Sequence, residues 1–343
     1  FKKNLIRQQV VKYKIGMVLY TKFFTDYLCS MKLKNPISLK ECAAMLNATY
    51  AGNGEAHITG INEIHKVTNG DITFVDFHKY YDKALNSAAT FVIINKEVDC
   101  PEGKGLIFSD DPFRDYVKLV KHFAPFTPSL KNIADNAIVG EGTILFPGVY
   151  VGNNVIIGKN CIIHPNVVIY DNAIIGDNVI IHANSVLGAD AFYFKRRATH
   201  FDKMESCGRV VIHDGVEIGA CCTIDKGVSG DTIIGEQTKL DNHIHIGHGV
   251  EIGKMCLFAG QVGIGGKTII GDNVIAWGQV GISKTLHIGN NVTILAQSGV
   301  GKDLEDGKTY FGSPAGEARQ KMKQMAAANN MLEIWETMRK RGN

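Results

Sequence analysis

Residues 133–192 read IADNAI-VGEGTI-LFPGVY-VGNNVI-IGKNCI-IHPNVV-IYDNAI-IGDNVI-IHANSV-LGADAF, ten consecutive blocks of six. The register is lost at Tyr193 and returns at Ile212 for three blocks. After a four-residue slip around Ser229 it holds for twelve more, from Ile234 to Glu305. Of these 25 blocks, 23 begin with Ile, Leu or Val, the exceptions being Phe258 and Ala276. An amphipathic helix repeats its apolar positions about every 3.6 residues and cannot hold a strict period of six. The blocks are rich in β-branched residues and glycine, which suit strands and turns. Helix is excluded.

Three blocks close a triangular coil, and each coil stacks on the next through parallel-strand hydrogen bonds at about 4.8 Å. The 25 blocks then make about eight coils, a prism about 40 Å long at that spacing. First-position aliphatics fill the prism, and glycine or another small residue at the second position makes room at the corner. Third positions such as Asp135, Glu141, Pro147, Asn153, Pro165 and Asp177 face outward. Open strand edges at the two ends need covering, and the segments before and after the repeat are natural caps. The period leaves the hand of the coil open.

Residues three blocks apart share a column. His248, third in the block IGHGVE, therefore faces outward, with Gly266 one coil on and Lys284 about two coils, or ~10 Å, away. A near-neutral imidazole suits a general base, and a neighbouring amide suits a developing oxyanion. A solvated, inert histidine is the plain alternative.

The chain has 343 residues, enough for two or three parts, with 45% apolar and 21% charged residues. That composition describes a globular protein. Its net charge of +3 is too weak to imply nucleic acid as a partner. No uninterrupted apolar run of ~18 residues is present, so no integral membrane segment is expected. Eight scattered cysteines, none in a CxxC pair, suggest reduced thiols and a cytoplasmic location.

Residues 1–30 form an extension of unknown role, too lysine-interrupted for a secretory signal. Residues 31–130 read as a small α+β domain. Ser38-Leu39-Lys40-Glu41 fits a capping box opening a helix to Asn47. Strands follow at 71–75, 90–94 and 105–109, and Asp111-Pro112 opens a second helix with Phe113, Tyr116, Val120 and Phe123 on one face. The β-helix takes 131–312, and 313–343 carries one amphipathic helix from Glu317 to Arg341. Its Met322, Met325, Leu332, Trp335 and Met338 could cap the prism or meet partner helices. Its excess of Arg and Lys could instead meet an acidic partner.

The run Leu240-Asp241-Asn242-His243-Ile244-His245-Ile246-Gly247-His248 resembles the UDP-3-O-(3-hydroxyacyl)glucosamine N-acyltransferases of lipid A biosynthesis, within the hexapeptide-repeat acyltransferases. The likeness extends through Gly188-Ala189-Asp190, Gly208-Arg209-Val210-Val211, Ile218-Gly219-Ala220, Thr223-Ile224-Asp225-Lys226-Gly227 and Asp231-Thr232-Ile233-Ile234-Gly235. The resemblance implies a left-handed coil, against the usual right-handed crossover, and a homotrimer with sites between prisms. It implies transfer of a 3-hydroxyacyl chain from acyl carrier protein to the 2-amine of a UDP-3-O-acyl-glucosamine. No cofactor is then needed beyond the carrier's phosphopantetheine arm. His248 matches the family's base and Gly266 would supply the oxyanion amide, with Asp241, Asn242 and His245 beside the substrate. Phe74 and Tyr80 match a pair that sandwiches uracil, and two core aromatics are the plain alternative. The family's Asn-Pro between those aromatics is Phe77-His78 here. The family's Gly-His pair is Lys284-Thr285, where Lys284 could bind a phosphate. Ala191 replaces a glycine, and the insertion from Tyr193 to Arg209 carries Lys195-Arg196-Arg197, which suits either an acidic carrier or a solvated loop.

Other readings belong to different chemistries. A hexapeptide O-acyl- or acetyltransferase would use the same prism. A zinc hydrase would gather His243, His245 and His248 on a metal. A purely structural rod would use none of them.

Overall fold

The computed structural model describes residues 31–341, so the extension at 1–30 lies outside the described residues. Two compact units divide between Tyr116 and Val117. The first is a six-stranded sheet in the order β1-β3-β4-β5-β6-β2. Its strands are β1 (Lys32–Ser38), β2 (Thr49–Gly52), β3 (His57–Ile61), β4 (Asp71–Val75), β5 (Phe91–Ile94) and β6 (Gly105–Phe108). Helix α1 (Leu39–Leu46) starts where the capping box places it. Ser38 Oγ accepts from the Glu41 amide at 3.2 Å, and Glu41 Oε2 accepts from the Ser38 amide at 2.8 Å. A short α2 (Tyr81–Leu85) follows β4, and α3 (Pro112–Phe123) closes the unit and enters the next. Strands β1, β2 and β3 were not legible in the sequence. β1 has four polar or basic residues among its seven and exposes most of its length, so no alternation marks it.

The second unit is the prism, a left-handed parallel β-helix. Its first face has eight strands, from Ile138–Val139 to His287–Ile288. The second has ten, from Ile144–Leu145 to Gly316–Glu317, and the third eight, from Tyr150–Val151 to Gly299–Val300. All three are parallel except for the closing pair, Thr309–Phe311 with Gly316–Glu317. From Val151 onward every first-position residue is buried, while Ile133 and Val139 in the opening coil are exposed. Second-position glycines are needed for the reason expected: a Cβ on Gly158 would come within 2.4 Å of the Gly176 carbonyl oxygen.

Fifth positions also point inward, a set that the sequence reading did not claim. Val155, Cys161, Val167, Val179, Cys222, Val250, Cys256 and Val274 are all buried there. Where this position is polar, the coils themselves satisfy it. Thr238 Oγ1 donates to the Gly253 carbonyl at 2.9 Å and accepts from the Cys256 amide at 3.1 Å. Fourth positions from Asn154 to Gln297 take the left-handed backbone, except Asp190 and Gly227 beside the two interruptions, which is why Asn recurs there.

The C-terminal segment corrects the expectation of a single helix. It forms α4 (Ala318–Asn329) and α5 (Met331–Arg341), divided at Asn330, whose amide caps the first by donating to Ala327 and Ala328. Two consecutive asparagines, weak helix formers that compete for backbone hydrogen bonds, account for the break. Met322, Trp335 and Met338 are exposed along these helices. No helix among the described residues is long and apolar enough to cross a membrane.

Candidate active site

Both interruptions of the repeat fall at one corner. Residues 193–208 leave the prism after the third-face strand Val186–Ala189, and the four-residue slip after Ser229 follows the third-face strand Thr223–Asp225. The stack does not notice them: Ile175 pairs with Ile212, Ile181 with Ile218, and Leu187 with Ile224. His248 follows the next third-face strand, His245–Ile246, and therefore stands at this same corner.

The corner fixes the imidazole from several sides. Gly249 takes φ +66° and donates to Thr232 Oγ1 at 2.8 Å, turning the chain just after the histidine. The His248 carbonyl accepts from the Lys267 amide at 2.9 Å, which ties it to the next coil. Gly266 lies directly beside the ring. A Cβ there would stand 2.8 Å from His248 Nε2, so only glycine leaves room for the imidazole. His248 Nδ1 is buried and has no hydrogen-bond partner among the described residues. Burial, then the charges of Lys267 and Lys284, push the imidazole pKa down to about 4. The ring is therefore neutral near pH 7 and able to accept a proton.

Lys284 is exposed two coils on from His248, in the column expected. His245 sits on the third face, with Nδ1 2.8 Å from Thr223 Oγ1 and Nε2 3.9 Å from Asp225 Oδ2. Burial, reinforced by Asp190 and opposed by His245, raises the Asp225 carboxyl to about 6. Asp241 and Asn242 stand elsewhere. They follow the second-face strand Lys239–Leu240, at a different corner from His248. Asn242 Oδ1 accepts from the Ala220 amide at 2.7 Å, and Asp241 Oδ1 from the Asn242 amide at 2.7 Å. His243, in left-handed backbone at that second corner, is also apart from His248. The three imidazoles do not converge, and among the described residues no group of three His, Cys, Asp or Glu could hold a metal ion.

In the first unit, Phe74 on β4 packs edge-on against Phe113, at 5.9 Å and 86°, and against Tyr116 at 4.8 Å. Tyr80 is exposed on the 3-10 turn after β4, with Lys79 Nζ 4.7 Å from its ring centre.

The insertion is a hairpin, Phe194–Arg196 paired antiparallel with Phe201–Lys203. Lys203 and Lys226 both pair with Asp190, the latter at 2.8 Å, and this pins the hairpin to the corner. Tyr193, at its base, lies parallel to His248 with ring centres 6.4 Å apart and planes at 15°. Sequence reasoning missed Tyr193. The available signal was the block count, because both interruptions and His248 are separated by whole coils.

Comparison with known proteins bears on the family of the chain. Residues 55–122 match the family model described as UDP-3-O-(3-hydroxymyristoyl) glucosamine N-acyltransferase, LpxD, and residues 136–170 and 154–189 match the bacterial transferase hexapeptide. UDP-3-O-acylglucosamine N-acyltransferase of Fusobacterium nucleatum is 41% identical over 64% of this chain and 72% of its own length. The namesake from Nitratidesulfovibrio vulgaris is 40% identical over 66% and 72%. Among solved structures, a UDP-N-acetylglucosamine acyltransferase from Bacteroides fragilis covers 56% of this chain and 74% of its own, at 28% identity and TM-score 0.50. By these likenesses the chain belongs to the UDP-3-O-acylglucosamine N-acyltransferase family and is an acyltransferase.

Proposed function

We propose that the protein moves a 3-hydroxyacyl chain from acyl carrier protein to the 2-amine of a UDP-3-O-acyl-glucosamine, a step of lipid A biosynthesis, with His248 as general base. The observation that carries this reading is the neutral, half-buried imidazole whose Nε2 edge lies against Gly266. The amine attacks the thioester carbonyl while His248 Nε2 accepts its proton. The Gly266 amide donates to the tetrahedral oxyanion. Collapse expels the carrier thiolate, which takes the proton back from the imidazolium. The products are an amide and a free carrier thiol, with no enzyme-bound acyl group, and no cofactor or metal of the enzyme's own takes part.

Three further assignments go with this reading. Phe74 and Tyr80 take the uracil between their rings, Lys284 takes a phosphate, and His245 borders the sugar. The chain works as a homotrimer, in which Asp241 and Asn242 of one copy approach His248 of another. Two features support the trimer: these residues stand at separate corners of one prism, and His248 Nδ1 has no hydrogen-bond partner among the described residues. Exposed Arg339 and Lys340 on α5 suit docking of the acidic carrier.

The test supplies 3-hydroxyacyl carrier protein and UDP-3-O-acyl-glucosamine to wild type and to His248→Ala. Amide formation by wild type and a loss of about 10²-fold or more in the variant are expected, the usual scale for a general base. Equal rates would remove His248 from the chemistry. Activity only with a hydroxyl acceptor or with acetyl-coenzyme A would move the protein to another reaction of the same architecture.

A further inference from the structure

We propose that Tyr193 is a positioning residue for His248: its ring, fixed by the base of the hairpin and steadied by Lys267, covers the imidazole and keeps water from it. This rests on the reading of His248 as the base.

The backbone around Tyr193 is held on both sides. Its amide donates to the Ala191 carbonyl at 2.8 Å, and its carbonyl accepts from the Met204 amide at 2.9 Å. Ala191 and Met204 are buried, and the Ala191 amide donates to Ser206 Oγ at 3.1 Å. Tyr193 thus belongs to the anchored root of the hairpin, below its exposed tip. Its ring faces His248 at a separation normal for aromatic pairs, about 4.5–7 Å. Lys267 Nζ stands 5.6 Å from the tyrosine ring centre, a cation–π contact from the next coil. One residue thereby links the base to the insertion, and one cation holds that residue in place.

The covering has a chemical use. An imidazole open to water can turn, and only one orientation aims Nε2 at a reacting amine beside Gly266. A parallel ring held beside it restricts that freedom, and a small misplacement of a base costs rate steeply. The charged groups acting on the imidazole from neighbouring coils are Lys267 and Lys284. Both disfavour the protonated ring, so the tyrosine and the lysines act in one sense before the amine arrives.

The experiment compares Tyr193→Ala, Tyr193→Phe, Lys267→Gln and His248→Ala. It follows the His248 ring by histidine-labelled NMR over pH 3–8, with the resonance assigned by its loss in His248→Ala. With the ring removed, the His248 midpoint should climb from about 4 towards the ordinary ~6.5. In the same variant kcat should fall about tenfold, the cost of a loosened base. Tyr193→Phe is expected to restore both, since the ring and not the hydroxyl makes the contact. Lys267→Gln, which leaves the hairpin sequence intact, should lower kcat and raise the midpoint less than Tyr193→Ala, and it serves if the alanine variant fails to fold. A midpoint and kcat unchanged in Tyr193→Ala, or a Phe variant behaving like Ala, would overturn the proposal. Full activity in His248→Ala would instead reject the base, and the NMR result would still decide whether Tyr193 covers the ring.

Discussion

His248 and Asp225 pull stability in opposite directions as pH falls. The histidine is neutral in the folded chain down to about 4 but titrates near 6.5 when unfolded. The unfolded state therefore binds more protons between those values, and stability is lost as pH drops through that window. Asp225 behaves in reverse. Its folded carboxyl holds a proton up to about 6 against ~3.9 unfolded, so its penalty fades over nearly the same window. The two slopes offset. Urea unfolding of wild type between pH 4 and 6 should show the shallower dependence on pH. Asp225→Asn should steepen the loss on acidification, and His248→Ala should make the protein gain stability there. A parallel dependence in all three chains would contradict the assigned directions.

Among the repeating elements, the two exceptions to the first-position rule turn out to be neighbours. Phe258 and Ala276 pair directly in adjacent strands of the second face, both buried. One fills the volume that the other leaves, which is why each departs from Ile, Leu or Val only in the other's company. Ala276→Ile alone should overpack the prism and cost about 1–3 kcal/mol. Phe258→Leu alone should leave a void and also destabilise. The double variant should recover most of the loss, with coupling readable in a double-mutant cycle of denaturant midpoints. Additive losses would mean that the two side chains do not share one space. The sequence exposed the anomaly at both positions, but only the register across coils supplies its reason. The same limit hid the fifth-position set, because Thr143, Thr238 and Cys256 look like surface residues until the next coil's carbonyl and amide groups satisfy them.

At the scale of the molecule, the outward face of the prism is unusually apolar near its start. Ile156 and Ile174 on the first face and Ile162 and Ile180 on the second stand at sixth positions, half-buried at most in a single chain. Such columns suit burial against further copies of the chain. Sedimentation equilibrium of wild type should give three times the chain mass. Lysine at all four positions should give single chains that keep the far-ultraviolet dichroism of the prism. A monomeric wild type would remove the trimer. What the sequence conveyed about the whole was the periodic part: coil number, inward aliphatics, corner glycines and the outward His248. What it withheld depends on contacts between segments without a shared period. These include the pairing of β1 with β3, the break at Asn330, and the placing of Tyr193 beside the imidazole.

Residues 193–208 depart from the prism and rejoin it at Arg209, while Ile175 and Ile212 remain paired as though contiguous. A foreign loop spliced between those junctions would inherit a place next to His248 and leave the stacked scaffold intact. The hairpin is thus a detachable cassette, carried by a framework whose coils close without it.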